Sequence, residues 1–236
     1  WNSGSFPLSV PMTILVDNPT ITKEALVLKN AMERKGLQVN ISDKLSDKSS
    51  YIQLRIGNVT APQNQSEAYH LETTSDKIVL TANTPQGIFN GIQTLLQLMR
   101  DNVFVDAAEI TDWPSFAWRG FMVDVGRNFQ SMKLLKQQID VMAAYKLNIF
   151  HFHPTEDVAW RLQSKLYPQL TDPEHMLRDK GEYYTEEDIK ELISYCKERY
   201  ITLIPEIDMP GHSAAFKRAM GVDMQTEKGM KICQNI

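Results

Sequence analysis

The chain has 236 residues, of which 42% are hydrophobic and 23% charged, and its net charge is -4. This is the composition of an ordinary folded protein of one or two domains, long enough to bury a real core. The acidic balance gives no electrostatic reason to expect a nucleic acid partner, and no apolar run approaches the length of a membrane span.

The chain starts at Trp1 with neither Met nor a charged-then-apolar leader. The expectation is that any signal peptide has been removed, and with it that the protein is secreted, periplasmic or at the cell surface. Met12 to Val16 reads as a strand, and Thr22 is positioned to cap a helix over Lys23–Lys35 that Gly36 ends. Strand-like runs follow at Gln38–Ser42 and Tyr51–Ile56, then at Ala68–Thr73 and Lys77–Ala82, the last two forming a hairpin around Ser75-Asp76. Thr84-Pro85 combines a capping hydroxyl with proline at the first helical position, which predicts a helix to Met99 with Ile88, Ile92, Leu95, Leu96 and Met99 along one stripe. Phe104–Ile110 returns as a strand. Residues 1–111 therefore read as a small α+β domain without a chemical constellation, its His70 a structural histidine on an alternating strand.

Asp112-Trp113-Pro114 marks a boundary, and residues 112–236 follow a different pattern. Strand runs at Phe121–Val125, Asn148–His153 and Ile201–Ile207 alternate with helices at Met132–Lys146 and Thr185–Arg199, the latter opening with a capping-box pattern. Nearly continuous apolar strands separated by helices predict a parallel α/β layer. Arg161 to Tyr184 is polar and proline-bearing, as a functional loop would be. Cys196 falls on the amphipathic helix, where a small buried thiol is expected rather than a reactive one, and its spacing from Cys233 is not that of a metal site.

All three strands finish in polar residues. The first gives Asp124 and Gly126-Arg127-Asn128; the second, His151, His153, Glu156, Asp157, Trp160 and Arg161; the third, Glu206, Asp208, Gly211 and His212. His151 and His153, two apart on a strand, share a face. In parallel α/β architectures the carboxyl ends of the strands carry the ligand site. Arg127 suits forked hydrogen bonds to hydroxyls or a carboxylate, the alternative being a salt bridge to a loop acid. Trp160 either stacks on a sugar face or plugs the barrel mouth. The Met-Pro-Gly turn between Asp208 and His212 can bring carboxylate and imidazole together, which fixes the ring's tautomer. Two chemistries fit: metal-dependent hydrolysis, with His151, His153 and Asp208 or His212 as ligands, and recognition of a sugar by acids, Arg, Trp and His.

The segments Arg119-Gly120-Phe121-Met122-Val123-Asp124-Val125-Gly126-Arg127, then Lys146-Leu147-Asn148 leading to His-Phe-His-Pro-Thr-Glu-Asp and Trp160-Arg161, then Pro205-Glu206-Ile207-Asp208-Met209-Pro210-Gly211-His212-Ser213 resemble family 20 of the glycoside hydrolases, the β-N-acetylhexosaminidases. The resemblance runs in order from about Trp113 to Ser213, and residues 1 to about 111 resemble the small domain that precedes the barrel in that family. It implies the first three or so strand–helix units of a (β/α)8 TIM barrel, and removal of terminal N-acetylglucosamine or N-acetylgalactosamine from β-linkages. It implies that Arg127 binds ring hydroxyls, that Asp208 and His212 form a relay touching the catalytic acid, and that His153 and Glu156 line the pocket; Asp157 and Trp160 join them as substrate-binding candidates. No cofactor or metal is implied, and the partners implied are N-acetylhexosamine-containing glycans.

The chain departs from the family pattern at Glu156, where the family usually has Asp, and at Pro154, where it has Leu or similar. The family's catalytic Asp-Glu pair follows the fourth strand, and no Asp-Glu dipeptide occurs here after Gly211. In the family the Asp orients the substrate's own acetamido group for attack on the anomeric carbon, and the Glu protonates the leaving oxygen. The expectation is an incomplete, catalytically silent portion of such an enzyme, prone to self-association through an open sheet edge. A non-catalytic carbohydrate-binding module is the alternative from a non-enzyme class.

Overall fold

The structure, a computed structural model, describes residues 2–8, 12–44, 50–99 and 103–236. It divides into two compact units, Trp1–Ala117 and Trp118–Ile236.

In the first unit the strands are β1 (Ser5–Pro7), β2 (Met12–Val16), β3 (Val39–Ser42), β4 (Tyr51–Ile56), β5 (Tyr69–Thr73), β6 (Lys77–Ala82), β7 (Phe104–Asp106) and β8 (Ala108–Asp112), with helices α1 (Thr22–Arg34) and α2 (Pro85–Leu98). Six strands form one mixed sheet in the order β3-β2-β4-β6-β5-β8, parallel from β3 to β6 and antiparallel across β5 and β8. Alternation decides which face is covered: Ile14, Ile52, Leu54, Leu71, Ile78 and Leu80 join Leu28 and Met32 of α1 and Ile88, Ile92 and Leu95 of α2 in one core. Each such side chain contributes roughly 1.5–3 kcal/mol by leaving water. Thr84 caps α2 by accepting from the Gly87 N–H, with proline directly after it, as its sequence predicts. Gly87 and Gly91 let α2 lie against the sheet: a Cβ at Gly87 would stand 2.6 Å from the Ala68 carbonyl oxygen.

Two expectations are corrected here. Thr22 lies inside α1 and its hydroxyl donates to the Pro19 carbonyl; the capping side chain is Asn18, which opens a 3-10 turn that runs directly into the helix. Phe104–Ile110 is two strands, because β7 leaves to pair with β1 while β8 pairs with β5. The partner β1 is only three residues long, too short for period-two alternation to register.

The second unit has strands β9 (Gly120–Asp124), β10 (Ile149–His153) and β11 (Thr202–Pro205) and helices α3 (Met132–Ala144), α4 (Glu186–Lys197), α5 (Ala214–Met220) and α6 (Glu227–Cys233). The strands are parallel, in the order β11-β10-β9, with α3 and α4 as the crossovers: these are strand–helix units of a partial TIM barrel. Phe150 and Phe152 of the central strand are fully buried, whereas Phe121 and Met122 of β9 are exposed. Thr185 and Asp188 complete a reciprocal capping box at α4, and Cys196 is buried there with its thiol pushed up to about 12 by desolvation. β11 ends at Pro205, short of Ile207, and the Glu206 N–H donates to the Phe152 carbonyl as the last bond of the pairing with β10. Among the described residues no helix is long and apolar enough to cross a membrane.

Candidate active site

Register brings the strand ends level: His153 lies opposite Asp124, and Phe152 opposite Pro205. The turn after β9 folds back, so that the N–H groups of Val125 and Gly126 both donate to the His153 carbonyl, at 3.0 and 3.1 Å. Gly126 has no side chain for a reason: a Cβ there would stand 2.7 Å from the Glu156 Cβ and 3.2 Å from the Glu156 nitrogen. That close approach delivers Glu156, only 2% exposed, beside Arg127.

Arg127 is held from both sides. Asp124 accepts from its backbone N–H at 2.9 Å and from its guanidinium, and Glu156 pairs with the other terminal nitrogen. The hydrogen bond that the guanidinium donates to Asp124 raises the Arg127 pKa, with the charges of Asp124, Glu156 and Asp157 adding to it, so the cation is secure. The salt-bridge alternative for Arg127 is therefore realised, yet the side chain keeps enough exposure to offer donors to a ligand. His212 completes the group: its Nδ1 is 2.5 Å from Glu156 Oε1 and 3.4 Å from Arg127 Nη2. Glu156 Oε1 thus sits at ion-pair distance from guanidinium and imidazole, without the angular alignment of a hydrogen bond to either. The ring reaches this place because His212 takes a left-handed backbone, φ 48°, which costs a side-chain-bearing residue about 1–2 kcal/mol.

Asp208 does not meet His212, contrary to the turn-based expectation. Its backbone N–H donates to Thr155 Oγ1 at 3.3 Å, which keeps it in line with β11, while the left-handed turn carries His212 away to Glu156. Asp208 stands instead beside His153 and Glu206, one ligating atom from each lying within 4.8 Å of the others. His151 pairs with Glu206, so both histidines of the strand do face the same carboxylate. Glu156, Asp157 and His212 form a second group of the same compactness, and either group has the donor atoms for a metal ion.

Three residues of the β10 end serve the scaffold. Asp157 Oδ1 accepts from the Ala214 N–H at 2.9 Å, anchoring the first turn of α5. Trp160 is 2% exposed, packs near Phe216 and donates to the Leu162 carbonyl at 2.8 Å, so within this chain its ring is packed inward. Arg161, expected on the rim, is fully buried. Its guanidinium donates to the carbonyls of Val125, Gly126, Arg178, Asp179 and Glu182, tying the Arg127 turn to the long loop. Only a fork of five donors can satisfy so many acceptors at once. Burial lowers its pKa, an effect that the neighbouring Asp179 carboxylate opposes.

Sequence reasoning passed over the residues that hold this loop. Arg178 donates to Asn128 Oδ1 at 2.7 Å and Tyr184 to the Gln130 carbonyl at 2.6 Å; desolvation raises the Tyr184 pKa above its ordinary value. Their only signal was polar side chains at the two ends of a long connection.

Comparison with known proteins follows the same division of the chain. Residues 1–113 match the model "Glycosyl hydrolase family 20, domain 2", and residues 116–235 the model "Glycosyl hydrolase family 20, catalytic domain". A β-hexosaminidase of Porphyromonas gingivalis is 36% identical over 233 residues, covering 91% of this chain and 29% of the relative. The exo-β-N-acetylglucosaminidase of Vibrio harveyi, solved in complex with N-acetylglucosamine, superposes with a TM-score of 0.82 at 29% identity, over 93% of this chain and 36% of that one. The β-N-acetylhexosaminidase of Bacteroides fragilis gives 0.84 at 27% identity, over 99% of this chain and 50% of that one. The chain thus spans half or less of each of these relatives, and with both of its units matched in order it belongs to glycosyl hydrolase family 20.

Proposed function

We propose that this chain is the sugar-recognition part of a β-N-acetylhexosaminidase that releases terminal N-acetylglucosamine or N-acetylgalactosamine from β-linked glycans with retention. The observation that carries the reading is the Arg127–Glu156–His212 group at the carboxyl ends of β9, β10 and β11. Arg127, a fixed cation with spare donors, binds ring hydroxyls. Glu156 stands at ion-pair distance from His212 Nδ1 and leaves Nε2 as the atom to contact a catalytic acid, so the relay runs through Glu156 where the sequence had suggested Asp208. His153 and Asp208 line the adjoining wall.

The bond-making groups are the substrate's acetamide, which attacks the anomeric carbon, and an acid that protonates the leaving oxygen. The acid and the group that orients the acetamide belong to the family's Asp-Glu pair, and residues 212–236 contain no such dipeptide. Contacts that do not strengthen in the transition state do not accelerate the chemistry, and the groups above make no bond to the reacting atoms. The 236-residue chain assayed by itself is therefore expected to be silent. An extracytoplasmic location suits a glycan-degrading enzyme. In isolation the chain is expected to self-associate through the exposed Phe121 and Met122 of β9.

The test is to express the chain in continuation with the rest of its reading frame. A chromogenic N-acetyl-β-glucosaminide and the matching β-glucoside, which lacks the acetamide, are then compared. Turnover of the first alone is expected. Equal turnover of both would refute the acetamide-assisted route.

A further inference from the structure

Beside the sugar-recognition group, the wall formed by His153, Glu206 and Asp208 has a chemistry that the glycosidase reading leaves unused. His153 closes β10 and is 4% exposed, and its Nε2 is buried without a hydrogen-bond partner. A sealed imidazole nitrogen with nothing to bind is an uncompensated cost, and native interiors keep few of them. A ring nitrogen of His153 and one carboxylate oxygen each from Glu206 and Asp208 lie within 4.8 Å of one another. Two half-buried carboxylates so close repel each other, and a cation between them would relieve that repulsion. The Glu206 carboxylate is braced from outside the group by His151 Nε2, an outer partner of the kind that holds a metal ligand in place, and the backbone N–H of Asp208 donates to Thr155 Oγ1, which fixes the main chain there.

We propose that His153, Glu206 and Asp208 form a binding site for a divalent transition-metal cation, with zinc the best match. One imidazole and two carboxylates suit a borderline ion and leave a fourth position for water. Bonds of about 2.0–2.2 Å set tetrahedral ligands about 3.3 Å apart, so the acids close in by side-chain rotation. The neighbouring trio of Glu156, Asp157 and His212 is as compact, but it is the wrong place for a cation. Arg127 already pairs with Glu156 and lies 3.4 Å from His212 Nδ1, so a metal there would face a guanidinium. The site does not rest on the glycosidase reading, and either can fail without the other.

The experiment is a zinc titration of the purified 236-residue chain in competition with a chromogenic chelator. One zinc per chain is expected, bound at least tenfold more weakly by Asp208→Asn and by Glu206→Gln and unchanged in His212→Ala. His153→Ala is a buried change, so the two half-buried acids carry the test, each variant first checked for native circular dichroism. Cys233→Ser controls for capture by the partly exposed thiol. Absence of saturable binding overturns the proposal, as does binding that survives both acid variants or disappears with His212→Ala or Cys233→Ser.

Discussion

In the unit Trp1–Ala117 the central strands β2, β4 and β6 set their apolar side chains beneath two helices, and Ile14, Ile52, Leu54, Ile78 and Leu80 are wholly removed from water. In Trp118–Ile236 the strand β9 leaves Phe121 and Met122 45% and 48% exposed, while a fully charged side chain, Arg161, lies at 0%. The first unit is held by hydrophobic burial along a regular sheet. The second, whose strand ends carry the candidate site, relies on a buried guanidinium that ties its loops together. A folded platform for polar chemistry needs rigid loops, and main-chain carbonyls gathered on one arginine provide them.

The contrast is broken most severely at Arg161. Arg161→Met removes donors from five carbonyls and leaves Asp179 without its cation, for an expected loss of about 3–5 kcal/mol. Hydrogen exchange should report it as lost protection in peptides covering 125–130 and 176–184; unchanged protection there would show that the knot is dispensable. Arg161→Lys should rescue little, since an ammonium cannot span the same acceptors.

The first unit should instead fail through sterics. Gly87→Ala drives a Cβ against the Ala68 carbonyl, directly before β5, and the Ala82 Cβ at the end of β6, and should cost about 1–3 kcal/mol in denaturant unfolding. A neutral result would mean that α2 can lift off the sheet freely.

A smaller effect separates surface charge from the buried knot. Glu186, at the start of α4, is held at a pKa of about 2, against an ordinary 4.5, by hydrogen bonds from Lys165 and Lys190. A depressed carboxylate stabilises the fold above its unfolded pKa, and the contribution fades as pH falls from about 4.5 towards about 2. The group is fully exposed, so solvent and salt screen the pairs. Thermal midpoints of wild type and Glu186→Gln should differ slightly at neutral pH, converge at pH 2, and draw together in high salt. A difference that grew on acidification would reverse the sign of the argument.

The regular elements were legible because period and caps are local: Thr84-Pro85 and the Thr185 box each specify their own helix start. So was the convergence of polar strand ends, which follows from parallel topology alone. Pairing within the site was not. His212 joins Glu156 because of one left-handed residue, and Trp160 turns inward because Phe216, far along the chain, offers it a packing partner. Arg161 was misplaced for a similar reason: its partners are backbone carbonyls, which carry no side-chain signature. The helices α5 and α6 are 7 residues each, too short for a helical period to stand out in the sequence.

The measurement that bears most directly on the site is kcat/KM for a chromogenic N-acetyl-β-glucosaminide, in the protein that carries this chain with its continuation, for wild type and Arg127→Lys. Lysine keeps the charge near Asp124 and Glu156 but loses the planar fork. The account predicts a loss of about 1–3 kcal/mol in transition-state binding, roughly 5- to 150-fold, with circular dichroism unchanged. A variant with wild-type kcat/KM would contradict the assignment of Arg127, and with it the reading of the Arg127–Glu156–His212 group as the sugar site.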